Sequence, residues 1–545
     1  MFGLMQDRPL LISSLIEHAA KYHPKTEIVT RLADGSFDRS NWLNIRNQSK
    51  CVANALNELG IKNGDRVGTL AWNTRRHMEV YFGISGAGAV LHTANPRLFP
   101  EQLTYIIDHA DDRVLFFDIS LTSLVEQLAP TLPKIEKYIA MCSREQMPDC
   151  NIPNLLCYDE LIGRQSAEYE WPEFDERCAS SLCYTSGTTG NPKGVLYSHR
   201  STVIHAIRSL APDCLNMSPS VTIMLIVPMF HANAWGVPYS AAMSGTKLVL
   251  PSQFLDGKSV YEGMLQEKVT FSQGVPTVWL MLFQYLDQNP QINPKELALE
   301  RISSGGSALP RAMLERFEQQ FGIDVQQGWG MTETSPIGVI NTLLPKHHGI
   351  PEEERVALKL KQGRGVWGVE MKVVNDEGNE QPWDGASRGN LLIRGPWIAA
   401  SYFKHEGGDV LDKDGYFPTG DVATINSDGF LQLVDRAKDV IKSGGEWISS
   451  IDLENAAMSH PAVSEAAIIG VAHPKWQERP LLLVVKNKGK DVTQEDLLKF
   501  LDGLVAKWWI PDEVIFVDAL PHTATGKIMK QKLREEFKDY KLPSL

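Results

Sequence analysis

The run Tyr184-Thr185-Ser186-Gly187-Thr188-Thr189-Gly190-Asn191-Pro192-Lys193-Gly194-Val195 decides how the rest of the chain is read. Before it, Ala179-Ser-Ser-Leu-Cys-Tyr184 is small and apolar enough for a buried strand, and after it Leu196-Tyr-Ser-His199 leads into a predicted helix. Glycines let backbone N–H groups approach an anion, hydroxyls add short donors and a lysine supplies charge. The loop is therefore a candidate cradle for a polyphosphate. It is not the P-loop pattern G-x-x-x-x-G-K-[ST], because Lys193 follows a proline and precedes Gly194. A Ser/Gly-rich surface loop has the same composition, so the reading depends on partners elsewhere in the chain.

At 545 residues the chain is too long for one core and implies roughly two to four domains or subdomains. Its 43% hydrophobic and 22% charged residues are those of an ordinary globular protein. A net charge of −12 removes the case for a nucleic-acid surface. Seven scattered cysteines without a C-x-x-C pair read as free thiols in a reducing cytosol. No signal-peptide layout and no apolar run of membrane-spanning length is visible, so a cytoplasmic protein without a membrane span is expected. From Arg436 onward 16 basic residues balance 16 acidic ones, so the whole negative charge lies before that point. A modular break near residue 435 explains the shift.

Helical spacing over residues 10–20 and 42–56 flanks a strand at Glu27–Arg31. Asp65–Ala71 predicts a buried strand, and a helical run follows from Met78 to Ile84. Gly83-Ile-Ser-Gly86-Ala-Gly88 ends a helix rather than opening one, which favours close helix packing over a dinucleotide site. Strand and helix signals alternate to about residue 330, the pattern of parallel sheets with crossover helices.

The strand Val221–Met229 runs into Phe230-His231-Ala-Asn-Ala-Trp235-Gly236, beyond a strand's carboxyl end, where open α/β sheets take ligands. Taken singly, His231 and Trp235 read as structural residues. Arg301-Ile-Ser-Ser-Gly-Gly306-Ser307-Ala308 ends a strand in bare backbone on which a flat ring can lie. In Gln327-Gly328-Trp329-Gly330-Met-Thr332-Glu333 an aromatic flanked by glycines offers a stacking surface. Glu333 reads as a Mg²⁺ ligand if ATP is present, and otherwise as a surface glutamate. Residues 363–435 change to short strands with turn signals, including Thr419-Gly-Asp421, where a carboxylate could hold two ribose hydroxyls or a turn. Beyond Asp435-Arg436-Ala-Lys438-Asp439 the pattern predicts a helix at Ser450–Ser459, strands at Val463–Gly470 and Leu481–Lys486, and a helix at Gln494–Lys507. Lys527, in Thr525-Gly-Lys527, alone reads as a solvated charge.

In this order the segments resemble the adenylate-forming superfamily of acyl-CoA synthetases, luciferases and peptide-synthetase adenylation domains, over nearly the whole chain. Met229–Trp235 and Gly444-Gly445-Glu-Trp447-Ile-Ser look like the medium- and long-chain fatty acyl-CoA ligases. The chain from Gly3-Leu-Met-Gln-Asp-Arg-Pro-Leu-Leu onward resembles the 3-methylmercaptopropionyl-CoA ligases of dimethylsulfoniopropionate breakdown. The resemblance implies an α/β fold: a large AMP-binding domain, 1–435, of parallel α/β subdomains with a β-rich subdomain at about 363–435. A small α+β domain, 436–545, would rotate between two half-reactions. In the first, a carboxylate attacks the α-phosphate of ATP to give acyl-AMP and pyrophosphate; in the second, the CoA thiolate displaces AMP.

By the same resemblance Thr185, Ser186, Gly187, Thr188, Thr189, Gly190 and Lys193 hold the β/γ-phosphates, and Thr185 and Glu333 reach Mg²⁺. Gly306, Ser307, Ala308, Gln327, Gly328, Trp329 and Thr332 surround adenine and the nucleotide, while Asp421 and Arg436 hold ribose. His231 borders the acyl site, with Trp235 and Gly330 at its wall. Lys438 marks the hinge, and Lys442, Ser443, Gly444, Gly445 and Trp447 face the acyl-adenylate and the CoA path after rotation. Lys527, His231 and Lys442 are the candidate catalytic residues. The implied co-substrates are ATP, with Mg²⁺, and CoA; the implied assembly is a homodimer. The implied acid is 3-(methylthio)propionate or another of short to medium length. Longer fatty acids, or transfer of acyl-AMP to a carrier, stay open.

Overall fold

The computed structural model describes residues 1, 3–185, 191–444, 446–522 and 528–542. Two sheets account for most of it. The first has seven strands, in the order Leu155–Cys157, Lys137–Ala140, Asp112–Phe117, Arg66–Leu70, Val90–Thr93, Ala179–Tyr184, Gly194–Ser198. All pairs are parallel except the last. The second has thirteen strands. Its parallel part places Glu27–Arg31, Lys247–Leu250, Thr222–Leu225, Phe271–Gly274, Arg301–Ser304 and Asp324–Gly330 side by side. This is the expected α/β architecture.

The β-rich stretch is not a separate sheet. Through Ile337–Ile340 it continues the same thirteen strands antiparallel, with Gly363–Gly365, Phe430–Arg436, Phe417–Ile425, Gly389–Arg394 and Glu370–Val374 added in turn. It nevertheless has its own apolar cluster, built on Trp329, Val373, Leu391, Ile393 and Leu431. Between Arg436 and Ile441 the chain passes to a small sheet. There the hairpin Val463–His473/Gln477–Lys486 pairs with Glu513–Phe516 and with Ile441–Ser443.

One local expectation is refined and one is corrected. The helix expected after Leu196–His199 is present, but before it Gly194–Ser198 is a strand that pairs with Ala179–Tyr184, with Tyr184 opposite Gly194. Gly194–Ser198 alternates in burial as a strand does, and the helix begins at His199, where the Ser198 side chain accepts from the N–H of Ser201. The helix expected over Gln494–Lys507 stops at Leu501, just before Gly503 at φ +91°. The glycine run 83–88 does what its position suggested. A Cβ on Gly83 would come within 2.6 Å of Val52, and one on Gly86 within 2.5 Å of Trp171.

Candidate active site

Because Thr222–Leu225, Phe271–Gly274, Arg301–Ser304 and Asp324–Gly330 run parallel and adjacent, their carboxyl ends open onto one rim. The loop after the first of these strands carries His231 and Trp235. It contains a left-handed turn: Ala232, Asn233, Ala234, Trp235 and Gly236 have φ of 44, 52, 51, 56 and 76°. Such a run is costly for residues with a Cβ and needs anchoring. Asn233 supplies the anchor, buried, with its amide donating to Ser181 Oγ at 2.8 Å and accepting from Cys183 Sγ and Tyr81 Oη at 3.4 Å each. Ser181 and Cys183 belong to the strand that enters the phosphate loop, so the two loops share one support. Gly236 lies on the His205 ring, where a Cβ would come within 2.7 Å. Burial pushes the His205 imidazole down to about 3, so it is neutral, and its Nε2 accepts from Ile337 N–H at 3.3 Å.

Trp235 is half-buried, and its indole edge sits on Gly305; a Cβ there would be 2.7 Å from Cη2 and 2.9 Å from the Gly328 carbonyl. The structure thus brings Trp235, Gly305 and Gly328 together. Gly330 is needed for a different reason. A Cβ on it would fall 1.8 Å from the Pro336 carbonyl oxygen, so it closes on backbone. Gly306 takes φ +81°, Ser307 is exposed and Ala308 half-buried. Gln327 accepts from Leu309 N–H at 3.3 Å and donates to Leu360 C=O at 2.6 Å. The Thr332 carbonyl accepts from Tyr197 Oη at 2.6 Å.

Asp421 lies inside the strand Phe417–Ile425, its side chain 3% exposed. Arg436, its cross-strand partner, reaches Oδ1 at 2.9 Å, and Trp329 Nε1 donates to Oδ2 at 3.0 Å. The Trp329 ring also covers Gly338, where a Cβ would meet it at 2.5 Å. Trp329 is therefore a holder of Asp421, a role its glycine neighbours did not signal.

At the phosphate loop, Thr185 N–H donates to the Lys193 carbonyl at 2.9 Å, and Lys193 N–H donates to Thr185 Oγ1 at 3.0 Å. Lys193 Nζ sits 4.7 Å from the ring centroid of Tyr402, whose hydroxyl donates to Glu333 Oε1 at 2.7 Å. Burial pushes the Glu333 carboxyl up from its ordinary value, against the pull of that hydrogen bond. Among the described residues no group of three or more His, Cys, Asp or Glu gathers as a metal site. A carboxylate with one hydroxyl, both hard oxygen donors, still suits Mg²⁺, which takes few protein ligands when phosphates supply the rest. Sequence reasoning missed Tyr402; it follows Ala-Ala-Ser with no local signal, and only the fold brings it to Glu333.

At the crossing between the sheets Lys438 is exposed, and Asp435 Oδ2 accepts from the N–H of Ser450 at 2.8 Å. Asp439 pairs with Arg534. Lys442 is exposed, while Ser443 and Gly444 line a cleft of about 440 Å³ with Trp476, Arg479 and Trp508. Trp447 is placed only as part of the strand Glu446–Ile448. Ser186, Gly187, Thr188, Thr189, Gly190, Gly445 and Lys527 lie outside the described residues.

The sequence pattern of AMP-binding enzymes matches residues 16–403, and that of the AMP-binding enzyme C-terminal domain matches 452–527. The chain belongs to this family of adenylate-forming enzymes. It is 51% identical to a 3-methylmercaptopropionyl-CoA ligase of Ruegeria lacuscaerulensis, over 99% of both chains. It is 48% identical to a medium-chain-fatty-acid–CoA ligase of Ectopseudomonas oleovorans, over 100% of this chain and 99% of the other. Among solved structures it superposes on an anthranilate CoA ligase in complex with anthranoyl-AMP with a TM-score of 0.86 at 26% identity, covering 98% of this chain and 99% of that one. The protein is an AMP-forming acid–thiol ligase that uses ATP, Mg²⁺ and CoA. No helix among the described residues is long and apolar enough to cross a membrane.

Proposed function

We propose that the acid is 3-(methylthio)propionate or another of short to medium length, activated as acyl-AMP and passed to CoA. The Ruegeria lacuscaerulensis relative supports the thioether acid. The observation that carries the reading is Trp235, whose indole lies on Gly305, where a Cβ would also come within 2.9 Å of the Gly328 carbonyl; in this reading that indole is a wall that shortens the acyl side of the rim. In this reading Lys193 and the loop 185–193 grip the phosphates that leave as pyrophosphate, Thr185 and Glu333 hold Mg²⁺, and Asp421 takes the ribose hydroxyls. Magnesium, when bound, neutralises phosphate charge. His231 borders the acid, and Lys527 balances charge at the α-phosphate. Adenylation of this kind depends on positioning and charge neutralisation more than on covalent help.

Residues 436–545 form the mobile domain in this proposal, turning about Lys438 to bring Lys442 and the Ser443–Gly444 cleft towards the acyl-adenylate. Seven free cysteines support a reducing, cytoplasmic setting, and the proposed assembly is a homodimer. The deciding measurement is kcat/KM for propionate, 3-(methylthio)propionate, butyrate, hexanoate and palmitate. A peak at the three- to five-atom acids supports the reading; a rise to palmitate overturns it in favour of a fatty-acid ligase.

A further inference from the structure

Tyr402 occupies a place that no motif marks. It lies on the segment that follows the strand Gly389–Arg394, and that segment is laced to the Glu333 turn. Ala399 N–H donates to the Glu333 carbonyl at 2.8 Å, Ser335 Oγ donates to the Trp397 carbonyl at 2.8 Å, and Trp397 Nε1 donates to the Ile337 carbonyl at 2.9 Å. Beyond Tyr402 the chain is clamped to the base of the phosphate loop. A Cβ on Gly194 would meet Phe403 at 2.9 Å, Lys404 Nζ pairs with Asp111 at 2.7 Å, and Tyr105 Oη donates to Glu406 at 3.2 Å. Lys404, His405, Gly407 and Gly408 all have φ between 55 and 80°, and a Cβ on Gly407 would come 3.2 Å from Lys193 Nζ. Conformations so sparsely populated persist only where contacts on both sides fix them.

This segment inserts one phenol between two opposite charges. The ring face of Tyr402 carries the Lys193 ammonium at 4.7 Å, and its hydroxyl carries Glu333 Oε1 at 2.7 Å. A lysine and a buried carboxylate left side by side would pair directly, and each would then be lost to other partners. We propose that Tyr402 is a positioning residue that keeps Lys193 and Glu333 apart and aims the Glu333 carboxylate. The lysine stays available to phosphate and the carboxylate to the metal that accompanies it. The inference rests on the reading of Glu333 as a metal ligand.

The test is calorimetric binding of ATP to the full-length protein, with Mg²⁺ and with EDTA, for wild type, Tyr402→Phe, Tyr402→Leu and Glu333→Gln, each with its Tm. Tyr402→Phe keeps the spacer and removes the hydroxyl, a hydrogen bond worth about 3- to 10-fold. The expected result is MgATP binding about that much weaker, with metal-free ATP binding unchanged. Tyr402→Leu removes the ring as well and is expected to weaken both, with Tyr402→Phe restoring the metal-free affinity. Equal losses with and without Mg²⁺ in Tyr402→Phe, or no loss, would overturn the inference. If Glu333→Gln leaves MgATP binding unchanged, the metal reading itself fails; if Glu333→Gln weakens it while Tyr402→Phe does not, only the role of Tyr402 fails.

Discussion

Asp421→Asn changes one atom of a buried carboxylate that already holds two donors. Arg436 Nε lies 2.9 Å from one oxygen and Trp329 Nε1 3.0 Å from the other. An asparagine has a single acceptor oxygen, so whichever way its amide turns, an NH₂ group faces either the guanidinium or the indole N–H. With the oxygen kept on the buried indole N–H, the NH₂ faces the guanidinium, whose side chain is 40% exposed and can turn to water, so the stability cost is expected at the low end of about 1–3 kcal/mol. If Asp421 holds ribose, the variant also loses at least one charge-assisted hydrogen bond to ATP, worth about 1.5–3 kcal/mol. That converts to a KM for ATP raised about 10- to 150-fold, with the KM for the acid little changed. Thermal unfolding reads the first effect and steady-state kinetics the second. A KM for ATP within about threefold of wild type, alongside a lowered Tm, would refute the ribose role and leave Asp421 as a strut for Trp329 and Arg436.

Gly330→Ala is expected to cost more than about 3 kcal/mol, because its methyl would fall 1.8 Å from a backbone oxygen that cannot rotate away; a melting curve matching wild type would refute that packing. Acid stability is expected to fall as pH drops below about 6.5. Burial holds His77 and His199 down to about 4 and His205 to about 3, so the unfolded chain binds these protons first. Each such histidine contributes about 1.4 kcal/mol per pH unit in that window. His205→Gln should therefore take up about one proton fewer on unfolding at pH 5.5, by calorimetry in buffers of different ionisation enthalpy; unchanged uptake would count against it.

The fold class was legible because 3.6- and 2-residue periods alternate over the first 330 residues and the turn signals change after 363. The continuity of that later stretch with the parallel sheet was not legible, since sheet order depends on which edges pair, and Ile337–Ile340 carries no mark of its two partners. Similarly, Gly194–Ser198 was hidden by the helix that follows; only its pairing with Ala179–Tyr184 makes it a strand. At the site, charged and glycine-flanked positions stood out because their composition is unusual for a loop. Gln327, Trp329 and Tyr402 did not yield their contacts, because each meets a residue from 18 to 92 positions away.

The left-handed turn at Ala232–Gly236 has a bearing on how the chain is assembled. Four residues with a Cβ at about 1–2 kcal/mol each store a sum comparable with the net stability of a whole domain, about 5–15 kcal/mol. An isolated segment would not hold that shape. In the folded chain the turn is held by the contacts of Asn233 with Tyr81, Ser181 and Cys183. The acyl side of the rim thus depends for its shape on the strand that feeds the phosphate loop. Glycine at 232 or 234 would release part of the stored strain, so a route to higher thermal tolerance runs through a loop next to the substrate.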